Sequence, residues 1–312
     1  PVLRRQRRGV RECRGGRRGE VVAGRIERAS TQDDLATAAR ETTAQVRALR
    51  RQGVGVELIG EIVSDLNQRL FSRLFEMVAP AEFRTSGCLI VMGSEGRGEQ
   101  AVRTDQDNGL ILSEPVDTTK LDAFRADFSS ALSSFGFPPC PGSVMVSNPA
   151  WSRQLSDYLA DFRKWIALPD ETSHLNVAIF YDARAVAGDT RLLTKAKTAL
   201  VEMVRGEQTF LAHFARAIDA FATPIGLFKS LITSAGNGDA LDLKKGGIFP
   251  IVHGTRSLAI EHGLVETATD KRIARLREIG VLQADFAREL SQTLRFLLTL
   301  RLDGQLAASG GV

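Results

Sequence analysis

A small α/β unit with flanking helices, followed by a mostly helical region, is the fold class the sequence predicts. Three observations carry it. Two short apolar runs, residues 88–92 (CLIVM) and 108–112 (NGLIL), flank a Gly-rich turn. A third β-rich run lies at residues 174–181 (HLNVAIFY), and a helical period dominates beyond Gly188. The 312 residues suit two domains rather than one.

Residues 1–30 hold ten Arg against three Glu, a balance of +7, which leaves residues 31–312 at −3 within the chain's net +4. A stretch rich in Arg and Gly and poor in apolar side chains cannot bury a core, so residues 1–30 read as a disordered basic tail. Such a tail suits nucleic acid or an acidic membrane. The acidic balance of the remainder argues against a nucleic-acid-binding body. Ser30 with Asp33 marks a helix start, and Leu35, Ala38, Val46 and Leu49 recur at helical spacing up to Gly53. A second helix carries Leu58, Ile59, Ile62, Val63, Leu66, Leu70, Leu74 and Phe75.

Residues 88–92 then read as a buried strand, and Gly93, Gly96 and Gly98 as the turn after it. Residues 119–135 form an amphipathic helix closed by Gly136. A Pro/Gly loop with a short strand at 144–146 fills 137–149, and a helix covers 151–167. Residues 175–182 are expected to pair into one sheet with 87–92 and 107–113. Helices follow at about 190–205, 207–222, 255–263, 270–279 and 283–303, with a polar loop at 234–247. In the last of these, Leu290, Leu294, Leu297 and Leu298 make one stripe expected to be buried. The expected boundaries are therefore a tail at 1–30, an α/β domain at 31–165 and a helical domain at 166–305.

Some chemistries drop out early. Cys13, Cys88 and Cys140 show no paired spacing, and His174, His213, His253 and His262 no ligand spacing, so a structural zinc site is not expected. Sparse, odd cysteines fit a reducing compartment, and no apolar run reaches the roughly 18 residues of a membrane span. No secretory signal pattern is visible, so the cytoplasm is the expected location and no membrane partner is expected.

The residues that carry chemistry cluster after the first strand. On an extended chain, residues i and i+2 point to one face roughly 6–7 Å apart, so Asp105 and Asp107 project side by side. Two such carboxylates hold a pair of Mg²⁺ (or Mn²⁺) ions about 3.5–4 Å apart, the arrangement for in-line phosphoryl displacement. Gly93 lets backbone approach a phosphate, Ser94 offers it a hydroxyl, and Arg97 neutralises developing charge. Glu99 either orients Arg97 or faces solvent. Lys244 and Lys245, in a Gly-flanked stretch, are further phosphate-binding candidates. Cys140, in a Pro-Gly loop with no nearby His in sequence, reads as structural.

The segment GSEGRGEQAVRTDQDNGLIL resembles the nucleotidyltransferase signature of the DNA polymerase β superfamily. More closely it resembles a nucleotidyltransferase family found after CBS and cyclic-nucleotide-binding domains in bacterial signalling proteins, related to protein-PII uridylyltransferase and glutamine synthetase adenylyltransferase. CPGSVMVSNPAW, FYDARAVAGD and LDLKKGGIFPIVHGTRSLA extend the likeness over about residues 31–305. Gln106 and Asn108 depart from the superfamily, which has apolar residues there.

The resemblance implies an α/β nucleotidyltransferase-type core and a C-terminal substrate-binding helical domain. It also implies transfer of a nucleoside monophosphate from ATP or UTP to a protein or small-molecule acceptor. Asp105, Asp107 and a third carboxylate, best matched by Asp182, would be catalytic. Gly93, Ser94, Arg97 and Lys244 would bind the nucleotide. The alternative is a non-catalytic module that senses nucleotide.

Overall fold

A computed structural model describes residues 14–102, 105–217 and 242–308. It divides into two compact units. One runs through the described residues up to Leu155 and takes in Ala183–Thr194; the other comprises Ser156–Asp182 and the described residues from Lys195 onward.

The first unit opens with helices α1 (Arg14–Arg28), α2 (Gln32–Arg51), α3 (Val56–Val78) and the short α4 (Ala81–Ser86). The expected disorder of 1–30 fails over residues 14–28. Val22 and Ile26, four apart, give α1 an apolar stripe that joins Leu35, Ala38, Leu66 and Leu70 in the core. The expectation for residues 1–13 lies outside the described residues. The helix start near Ser30 falls one residue later than expected. Thr31 caps α2, accepting from Asp34 N at 3.2 Å while its own N–H donates to Asp34 Oδ2 at 3.0 Å.

Strands β1 (Gly87–Val91) and β2 (Asn108–Leu112) pair antiparallel as expected, Val91 facing Asn108 and Gly87 facing Leu112. All ten strand residues are buried, which is why both runs are continuously apolar rather than alternating. Helix α5 (Gly93–Arg97) follows β1, and α6 (Thr118–Ser134) lays Leu121, Phe124, Phe128 and Leu132 on the same core as Leu89, Val91, Leu110 and Leu112. The third and fourth strands are β3 (Ser152–Gln154), parallel to β2, and β4 (Arg184–Gly188), antiparallel to β1. The sheet order is β3-β2-β1-β4. Residues 144–146 form no strand, yet they are stitched to β2: Asn108 N donates to Val144 O at 3.1 Å and Val146 N to Asn108 Oδ1 at 2.8 Å.

The expected strand at 175–182 is a helix. In the second unit, α7 (Leu155–Ala167) is followed by α8 (Glu171–Tyr181), whose N-cap Asp170 accepts from Ser173 N at 2.7 Å. Ser173, Val177, Phe180 and Tyr181 are buried while Leu175 is exposed, a spacing of i, i+4, i+7 and i+8 rather than of two. The strand that joins β1 on its free side is β4 instead, nine residues further on than residue 175.

Helices α9 (Arg191–Val204), α10 (Gln208–Arg216), α11 (Phe249–Glu261), α12 (Thr269–Glu278) and α13 (Ala284–Ala308) match the expected helical region. Residues 244–247, expected as loop, belong to a π-helical turn, Lys244–Ile248, that leads into α11; the rest of that loop, 234–241, is outside the described residues. Of the four expected stripe residues on α13 only Leu294 is fully buried, against Ile248 and Val252; Leu297 and Leu298 pack half-buried on that cluster, and Leu290 is half-buried too. The stripe is therefore real, but deep only at its centre.

Candidate active site

The turn after β1 fixes the site. Gly93 adopts φ +56°, and a Cβ there would collide with Asp107 Oδ2. Met92 N donates to Asp107 O at 2.8 Å, so strand pairing itself brings the carboxylate against the Gly-Ser turn. Ser94 Oγ donates to Gln100 Oε1 at 3.2 Å. Arg97 Nε donates to Glu99 Oε2 at 2.7 Å, both side chains being about nine-tenths buried, so Glu99 orients Arg97.

Asp105 and Asp107 are half-buried, and the residues after each, Gln106 and Asn108, are buried. The alternation is the one an extended segment would show with Asp105 and Asp107 on its open side, and it turns Gln106 and Asn108 inward. Gln106 Nε2 donates to Ser129 O, Ser133 Oγ and Phe137 O at 3.0–3.1 Å. Asn108 is engaged with 144–146 as described. The departures from the apolar pattern thus tie α6 and the 137–146 loop to the strand.

Glu95, inside the motif, is buried, and sequence reasoning did not single it out. Asn67 Nδ2 of α3 donates to its Oε2 at 2.9 Å, while Oε1 meets no partner among the described residues. Burial pushes its carboxyl up to about 7, the nearby Asp107 charge adding to the rise, with Asn67 and Arg184 opposing. Arg184, on β4, donates from Nη1 to Ser64 Oγ at 3.2 Å, and a Cβ on Gly98 would stand 3.1 Å from its Nη2. Only its place inside the Gly-rich turn marked Glu95 in the sequence.

Residues 40–172 match the family described as "Putative nucleotidyltransferase DUF294", and residues 208–311 match "Putative nucleotidyltransferase substrate binding domain". The two halves of the chain each match a nucleotidyltransferase-type domain. No curated protein matches it.

In the matched domain the carboxylate oxygens of Asp105 and Asp107 are of the kind a hard divalent cation takes. Two carboxylates two residues apart are both half-buried, and the space beside Asp107 is one that only glycine at 93 leaves. No group of three or more His, Cys, Asp or Glu residues arranged to hold a metal occurs among the described residues, so phosphate oxygens and water would complete the shell. Cys140 is closer to the chemistry than its sequence context suggests. Its thiol is pushed up by burial and by the adjoining Asp107 carboxylate, so it is held as the neutral thiol.

Asp182 requires a correction. It caps α8 rather than ending a strand, and it is fully buried within the second unit. Arg256 Nε and Nη2 donate to its two oxygens at 3.3 and 2.5 Å, and Arg272 Nη1 stands 2.8 Å from Oδ1. Arg272 also lies over the Tyr181 ring. His253 completes the cluster: Nε2 donates to Phe214 O at 2.7 Å, so Nδ1 accepts from Arg256 Nη1 at 3.1 Å. Burial and the Arg256 charge push this histidine down to about 4, which keeps it neutral. A carboxylate clamped this way is the centre of an ion-pair hub, not a ligand open to solvent. Lys244 also lies in the second unit; it is exposed, and its N–H donates to Asp242 Oδ1 at 3.0 Å.

Two expected outcomes follow from this geometry. Gly93→Ala is expected to cost about 1–2 kcal/mol in left-handed backbone strain alone, and to displace Asp107. Thermal unfolding should show the loss; an unchanged midpoint would mean the turn relaxes freely. Glu95→Gln should stabilise the protein in a pH-dependent way. A carboxyl raised from 4.5 to about 7 costs nothing below pH 4.5, costs progressively more as pH rises to 7, and bears its full cost above that. The gain on removing the charge is therefore up to about 3 kcal/mol at pH 8 and small at pH 5. Denaturation at the two pH values checks it; an equal effect at both would contradict the burial argument.

Proposed function

We propose that the chain transfers a nucleoside monophosphate from ATP or UTP to a protein or small-molecule acceptor, with Mg²⁺ or Mn²⁺ at Asp105 and Asp107. The observation that carries this reading is the Asp107 carboxylate lodged against the Gly93-Ser94 turn, with Asp105 two residues away and likewise half-buried. A metal bound there would neutralise charge on the triphosphate and on the leaving pyrophosphate.

The chain's own residues supply the rest. Gly93 leaves the room that the Asp107 carboxylate takes, the Ser94 hydroxyl would turn from Gln100 to donate to a phosphate, and Arg97, aligned by Glu99, adds positive charge. The acceptor oxygen bonds to the α-phosphorus, the bond to pyrophosphate breaks, and the acceptor's hydroxyl proton passes to water. The second unit presents the acceptor, in keeping with the substrate-binding description matched over 208–311. A protein hydroxyl, as in uridylylation or adenylylation of a regulatory tyrosine, is the model that the resemblance to protein-PII uridylyltransferase implies.

The test is pyrophosphate release from each nucleoside triphosphate with and without Mg²⁺, in the presence of a cell lysate as acceptor source. Metal-dependent release supports transfer. Metal-dependent nucleotide binding with no release would establish a sensing module instead.

A further inference from the structure

The short helix α5 is bracketed by two close approaches. At its start the Asp107 carboxylate fills the space a Cβ on Gly93 would take; just past its end the Arg184 guanidinium lies where a Cβ on Gly98 would stand 3.1 Å away. Glu95 sits between them on the same helix. It is buried, held by Asn67 at 2.9 Å, and leaves Oε1 without a hydrogen-bond partner among the described residues. On α5 it stands two residues after Gly93, against which Asp107 lies, and three before Gly98, against which Arg184 lies.

Purely structural demands do not explain this residue. A glutamine would keep the hydrogen bond from Asn67, and an unpartnered carboxylate oxygen in a closed interior is unfavourable. A carboxylate buried on the helix that Asp107 lies against does have a use: a divalent cation at Asp107 would see it through low-dielectric protein. We propose that Glu95 is a positioning residue of the metal site, a buried third negative charge that strengthens cation binding through Asp107 and is itself fixed by Asn67. This rests on the nucleotidyltransferase reading of Asp105 and Asp107. It gives the site a third acidic group that neither metal-ligand spacing nor the resemblance supplies.

The test measures Mn²⁺ binding by electron paramagnetic resonance, with α,β-methylene ATP or UTP present, in the full chain and in Glu95→Gln, Asp107→Asn and the double variant. Glu95→Gln is expected to bind Mn²⁺ about tenfold more weakly, the scale of losing a supporting partner behind a metal ligand. Its unfolding midpoint should be no lower than that of the unsubstituted protein. In the Asp107→Asn background the Glu95 change should have no further effect, a coupling that a merely structural role would not produce. Unchanged Mn²⁺ affinity in Glu95→Gln, or an equal loss in both backgrounds, overturns the inference while leaving the two-carboxylate site intact. Failure of the unsubstituted protein to bind Mn²⁺ overturns both. Should Glu95→Gln not fold, Asn67→Ser, which releases Glu95 but keeps its charge, is expected to weaken Mn²⁺ binding, and unchanged affinity there counts against the inference equally.

Discussion

Replacing Asp107 with Asn is expected to reduce pyrophosphate release by at least about 10²–10³-fold, the scale of losing one preorganised group that stabilises the transition state. The fold should survive. Asp107 is half-buried rather than sealed, and its main-chain O is what accepts from Met92 N. Asn keeps the side-chain shape, and removing the charge relieves Glu95, whose carboxyl the Asp107 charge helps to raise. The unfolding midpoint should stay put or rise slightly. Full activity in this variant would remove Asp107 from the chemistry. A large loss of stability would make it a structural residue.

Asp182→Ala should do the reverse. Its carboxylate is fully buried between Arg256 and Arg272, which are themselves 6% and 0% exposed at their side chains. Truncation leaves two guanidinium groups in the interior with their shared counter-charge gone. Breaking a buried pair in this way costs about 3–5 kcal/mol, or roughly 10 °C in midpoint for a unit of this size. Thermal unfolding measures the loss. Catalysis lost at unchanged stability would restore the catalytic role that the strand-end reading of Asp182 implied.

That misplaced aspartate shows where a sequence stops being informative. The β1 and β2 runs are legible because a strand buried on both faces must be apolar throughout, and Gly93 ends the first with a conformation few other residues adopt. HLNVAIFY misleads because its β-branched and aromatic residues satisfy either period; only burial of Ser173, Val177, Phe180 and Tyr181 against exposed Leu175 decides for a helix. β4, RAVAG, is hidden by small side chains that carry little pattern. Helix α1 is masked by arginine, although Val22 and Ile26 already hold its stripe. Glu95 could not be ranked from sequence, since a charged residue declares itself buried only once α3 is packed over it.

The most direct measurement uses two labels. The protein is incubated with Mg²⁺, a lysate, and ATP or UTP labelled at either the α- or the γ-phosphate, and the products are separated by size. A nucleotidyltransferase working through Asp105 and Asp107 is expected to pass the α-label to an acceptor and leave the γ-label in pyrophosphate, with both signals lost in Asp107→Asn. Transfer of the γ-label, or α-label incorporation that persists in Asp107→Asn, would contradict the assignment.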